Sequence, residues 1–152
     1  MRKRNFLFLA SLTILLVAGF LLITGAPVLT TPLPGNPSLP MGTLLTWAGI
    51  LSLPLSIYFG VERFRKPARA TDKFIANALK VLIILSILWA PICYLLAGNL
   101  SFSFTEKAGF QGGQTAMKTF WYFNYLLVVA PIMLLLLYGL LHLFYKKTAI
   151  KK

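Results

Sequence analysis

The chain has 152 residues, of which 58% are hydrophobic and only 12% charged. Water-soluble domains carry about a quarter charged residues, so this balance excludes an ordinary soluble fold and points to a single membrane-embedded domain. The formal net charge of +12 would otherwise raise nucleic acid as a partner. The cations instead sit in short segments beside hydrophobic runs, where membrane topology places them, so nucleic acid is not expected.

A basic start with Arg2, Lys3 and Arg4 precedes the first uncharged run, residues 6–26. As a helix this run covers roughly 31 Å, enough to cross the hydrocarbon core. The same pattern fits a secretory signal, with Thr24-Gly25-Ala26 as a small-residue cleavage site. Pro27 would then follow the cut, where proline is poorly accepted, and the apolar run is long for a signal core. A retained first span is therefore expected, and no cysteine follows it to carry a lipid anchor.

Residues 27–40 hold five prolines, Pro27, Pro32, Pro34, Pro37 and Pro40, and no charge. That density excludes a helix and predicts an extended, polyproline-like strap outside the cytoplasm. The second span, residues 41–61, is the expected packing centre. Ala48, Ser52, Ser56 and Gly60 recur every four residues and share one helix face, where small side chains let a second transmembrane helix approach. Pro54 lies mid-span and should kink it.

The following loop carries Arg63, Arg65, Lys66, Arg69 and Lys73 against Glu62 and Asp72. Thr71 is placed to cap the third span, with Asp72 favoured by the helix dipole. That span, residues 74–97, contains Asn77, Lys80, Trp89, Tyr94 and the single cysteine, Cys93, with Pro91 expected to bend its outer half. One cysteine permits no intrachain disulfide, CxxC pair or thiolate metal site.

In the next loop Leu100, Phe102 and Phe104 alternate with Ser101, Ser103 and Thr105, a period-two pattern that predicts a short strand or extended segment. Glu106, Lys107 and Lys118 are its charges. The fourth span, residues 120–145, opens on Phe120, Trp121, Tyr122, Phe123 and Tyr125, an aromatic belt suited to a membrane interface. Pro131 should bend it, and His142 lies near its inner end.

Three Lys/Arg on the first tail, five on the middle loop and four on the last tail fall on one side of such a fold, and only Lys107 and Lys118 on the other. The expectation is an all-α integral membrane protein with four transmembrane helices in two hairpins and both termini cytoplasmic. The setting expected is a bacterial cytoplasmic membrane.

No Asp or Glu falls within a span, where proton-coupled carriers usually need one. The single histidine cannot form a bis-histidine haem site, and no nucleophile elbow, P-loop or HExxH is present. No catalytic residue, cofactor or metal is therefore expected. Lys80 and His142, both near the cytoplasmic leaflet, are the candidates for contact with a lipid phosphate or a quinone carbonyl. Lys80 snorkelling to the headgroups and His142 ending its helix is the simpler explanation and the favoured one. The role expected is a non-catalytic accessory or scaffold subunit, partnered by other integral membrane subunits and lipid. A small oligomeric transporter or channel is the alternative, drawn from the row of mid-span prolines.

Overall fold

The computed structural model describes the backbone of residues 2–102, 104 and 110–150, and the side chains of 3–102, 104 and 110–143. The protein is mostly helical, as an all-α class requires. Helix α1 (Arg2–Thr24) leads through a 3-10 turn (Pro27–Leu29) into a small hairpin, β1 (Pro32–Leu33) and β2 (Asn36–Pro40). Helix α2 (Met41–Gly60) and the one-turn α3 (Glu62–Arg65) follow, then α4 (Ala70–Ile87), α5 (Trp89–Ala97) and α6 (Gly113–Ile150). Helices α1, α2 and α6 are each long and apolar enough to cross a membrane, and α4 with α5 makes a fourth span if taken as one bent unit. A membrane location fits this set.

The centre of the bundle is α2. It packs against α1 on one flank and against α4 and α6 on the other. Its apolar window is 44% buried, against 11% for those of α1 and α6. Its small residues make this approach close. A methyl added at Gly49 would stand 3.1 Å from Cβ of Ala18 on α1, and one at Gly60 would stand 2.9 Å from the ring of Phe8. Helix α6, at 38 residues, is about 57 Å long and overruns a bilayer core of about 30 Å.

Several sequence expectations are corrected. The strap at 27–40 is a hairpin, because Pro34-Gly35 makes a tight turn: Gly35 takes φ +87°, and Leu33 pairs with Asn36 across it. The third span is two helices. They break at Leu88 and diverge by 52°, and Pro91 falls in the first turn of α5, where no helical N–H is needed. Pro54 and Pro131 both lie inside their helices, α2 and α6. Helix α4 begins one residue before Thr71, with Arg69 as N-cap and no side-chain cap bond; Asp72 lies in the first turn, buried. Leu100, Phe102 and Phe104 form turns rather than a strand, because the side chain of Asn99 accepts from the N–H groups of Ser101 and Phe102 and curls the chain. Helix α6 starts at Gly113, ahead of the aromatic belt. Ser103, Thr105, Glu106 and Lys107 lie outside the described residues.

The two connections at the hairpin end form a clasp. Thr43 Oγ1 donates to the Leu100 carbonyl at 2.6 Å, and Ser101 Oγ donates to the Ser38 carbonyl at 2.9 Å. Beneath them Phe102, buried and at φ +45°, stands edge-on to Trp89 with ring centroids 5.2 Å apart. It also meets Phe120 at 5.6 Å. At the opposite, basic end Ile57, Phe64, Ile75, Ala76 and Leu79 form a second apolar cluster, with Phe64 edge-on to Tyr138 at 4.8 Å.

Candidate functional site

Three places in the bundle gather polar groups. The first is the crossing of α2 and α4. Pro54 has no N–H to offer the carbonyl four residues back. That carbonyl, of Ile50, is approached instead by Ser86 Oγ from α4 at 3.4 Å, a long contact. The carbonyl of Ser86 lies in the last turn of α4, where helical partners run out, and it accepts from the indole N–H of Trp47 at 2.9 Å. Just beyond the break, Trp89 donates to Asn124 Oδ1 on α6 at 2.8 Å, and Asn124 Nδ2 returns to the Phe120 carbonyl at 2.7 Å. These bonds join α2 to α4 and α5 to α6. In an apolar medium an unpaired polar group is costly, so such exchanges fix which helix faces which.

The second place is a groove of about 400 Å³ between α1, α2 and α6. Its lining is apolar apart from a few groups, and it includes Gly19 on α1, Thr46 and Gly49 on α2, and Trp121, Asn124 and Tyr125 on α6. The rings of Trp121 and Tyr125 lie 6.1 Å apart and 31° from parallel, making an aromatic wall. Asn124 is engaged as above. The hydroxyl oxygen of Thr46 is buried and has no hydrogen-bond partner. A wider seam of about 610 Å³ between α4 and α6 is lined by Ala78, Leu82, Leu85, Ala130, Leu134 and their apolar neighbours, and has no comparable polar group.

Protein-family models, curated proteins and solved structures were each compared with the chain, and none matches it. The local chemistry alone therefore carries the functional reading.

The third place is the basic end. Here His142 Nδ1 lies 3.2 Å from an Arg63 guanidinium nitrogen, and the His142 ring stacks on Tyr138, 18° from parallel at 6.0 Å. The guanidinium can only donate, so His142 Nδ1 is the acceptor in this arrangement. Arg4 and Glu62 pair at 3.8 Å, a loose and solvent-exposed contact of small worth. Arg65 Nε is buried without a hydrogen-bond partner.

The structure does not bring Lys80 to His142. Lys80 is exposed and makes no hydrogen bond or ion pair among the described residues. It lies two residues beyond Ala78, which faces α6, and so about 200° around the helix from that seam. Of the small-residue face, Ser52 and Ser56 are buried, Ala48 is half-buried and Gly60 is exposed beside Phe8. Ser56 Oγ turns back to the Leu53 carbonyl at 2.8 Å. Gly49, one residue along from Ala48, also meets α1, at Ala18. Among the described residues no three His, Cys, Asp or Glu side chains group as metal ligands would.

Thr46 and Gly19 escaped the sequence reading. A threonine in an apolar helix usually returns its hydroxyl to its own backbone, and a single glycine in a transmembrane helix is common. Only the three-helix arrangement sets them beside one groove.

Proposed function

We propose that this chain is a non-catalytic accessory or scaffold subunit of a larger complex in a bacterial cytoplasmic membrane, with both termini in the cytoplasm, binding neighbouring subunits and lipid. The observation that carries this reading is how the bundle uses its central polar groups. Trp47, Ser86, Trp89 and Asn124 hold helices to one another rather than lining a polar path. The clasp at the hairpin end ties the uncharged 27–40 hairpin and the start of α2 to the loop after α5, through Thr43 and Ser101. Long apolar flanks left uncovered on α1 and α6 suit docking beside other membrane subunits better than turnover or transport.

The orientation follows from the cations of the basic end, which the positive-inside rule assigns to the cytoplasm. The test is purification from the native membrane in mild detergent, followed by mass spectrometry of what stays bound. Larger subunits in fixed stoichiometry are the expected result. A lone chain or homo-oligomer that also carries solute flux into liposomes overturns it in favour of a small transporter.

A further inference from the structure

We infer that the groove between α1, α2 and α6 holds one acyl chain of a diester phospholipid, with its ester carbonyl accepting a hydrogen bond from Thr46. Two independent observations lead there. The first is the hydroxyl of Thr46, buried beside the groove with no partner. A buried hydroxyl without an acceptor is unfavourable; one staggered position of a helical threonine returns the hydroxyl to its own backbone, and as Thr46 is placed, without that bond, an acceptor entering the groove can satisfy it.

The second is Gly19. Its backbone does not require glycine, since its φ is not in the left-handed region, and a methyl added there would meet no atom within 4 Å. Gly49 answers to Ala18, but Gly19 answers to nothing in the chain. Its missing side chain leaves space on the α1 wall.

The depth and chemistry select the occupant. Thr46 lies five residues into α2, about 8 Å from its hairpin end, and the groove runs from there toward Leu53, Leu15 and Val128. An ester carbonyl sits at the top of an acyl chain, so carbonyl and chain match hydroxyl and groove in that order. No charged residue lines the groove, so the headgroup is not read. The bound chain would be flanked by the Trp121–Tyr125 wall.

This inference rests on the lipid-contacting part of the proposed function and not on its protein partners. The test is native mass spectrometry of the full chain in detergent, equilibrated with diester or diether phosphatidylglycerol of matched chains. The diether lacks the carbonyl. The wild type should retain the diester about three- to tenfold better, the worth of one hydrogen bond within a membrane. Thr46→Val should abolish that preference and Thr46→Ser should keep it. Gly19→Leu should expel both lipids while leaving the melting temperature of the bundle unchanged or higher. Equal retention of the two lipids by the wild type overturns the inference, as does a preference for diester that survives Thr46→Val. Retention of neither lipid by the wild type, with a co-purifying chain that is lost on Gly19→Leu, overturns it in favour of a partner helix. A stoichiometric complex with no ester preference would remove the lipid site and leave the accessory role standing.

Discussion

The indole N–H of Trp47 donates to the main-chain carbonyl of Ser86 at 2.9 Å, and Ser86 in turn offers its hydroxyl to Ile50, three residues along from Trp47. One residue of α4 thus serves as acceptor and donor to one face of α2. The exchange exists because Pro54 leaves Ile50 without its helical N–H. Trp47→Phe should therefore destabilise the bundle by about 1–2 kcal/mol. Ser86→Ala should cost less, because its contact is the longer one. In a Pro54→Ala background the Ile50 carbonyl regains a helical donor, so the cost of Ser86→Ala should shrink. A double-mutant cycle in reversible detergent unfolding reads this coupling, and simple additivity would show that Pro54 and Ser86 act separately.

Gly42 should be intolerant of the smallest side chain. A methyl there would lie 2.7 Å from the Leu29 carbonyl oxygen and 2.7 Å from the ring of Phe104. The ring can swing away, but the carbonyl belongs to the backbone of the 3-10 turn. Gly42→Ala should cost about 1–3 kcal/mol by overpacking and open the clasp to protease. Cleavage within residues 98–112 at the wild-type rate would show that the clasp absorbs the methyl.

Phe102 holds two opposing terms. Its φ of +45° is strained for a residue with a Cβ, at about 1–2 kcal/mol. Its ring is fully buried between Trp89 and Phe120. Losing that ring to alanine should cost about 3–5 kcal/mol. Glycine loses the same ring but relieves the backbone, so Phe102→Gly should be the milder of the two by about 1 kcal/mol. Thermal unfolding in detergent compares them directly, and an alanine variant more stable than the glycine one would remove strain from the account.

The proposed orientation has a chemical readout. With Cys93 replaced by alanine, a cysteine introduced for exposed Ser38 should react with a membrane-impermeant maleimide on intact spheroplasts. One introduced for exposed Ala68, in the basic loop, should react only after lysis. The reverse pattern would invert the topology.

Much of the architecture was legible because membrane helices announce themselves by length and apolarity. The residue of α2 that meets Ala18 is Gly49, which lies outside the four-residue spacing of small side chains, so the sequence pattern did not single it out. Other features were hidden by ambiguity in single residues. Trp47 carries no signal of its own in the sequence until Ser86 is seen opposite it. Pro91 suggests a bend at its own position, whereas the helix breaks at Leu88 and Pro91 opens the next helix. The five prolines of 27–40 concealed the one informative pair, Pro34-Gly35, which specifies a turn. The groove depends on what lies across from Gly19 and Thr46, and no local pattern carries that information.

The ties that close the hairpin end join residues 57 and 63 positions apart, and each links the first helical pair to the second. On a ribosome, the acceptor carbonyl of Ser38 and the donor hydroxyl of Thr43 emerge long before Leu100 and Ser101 exist. In the proposed membrane setting the first pair would enter the bilayer with its β-turn and Gly42 uncovered, and those groups would stay wet until the second pair had followed. Under the proposed topology the clasp would be a record of completed insertion: it can shut only once the second half of the chain has reached the hairpin end.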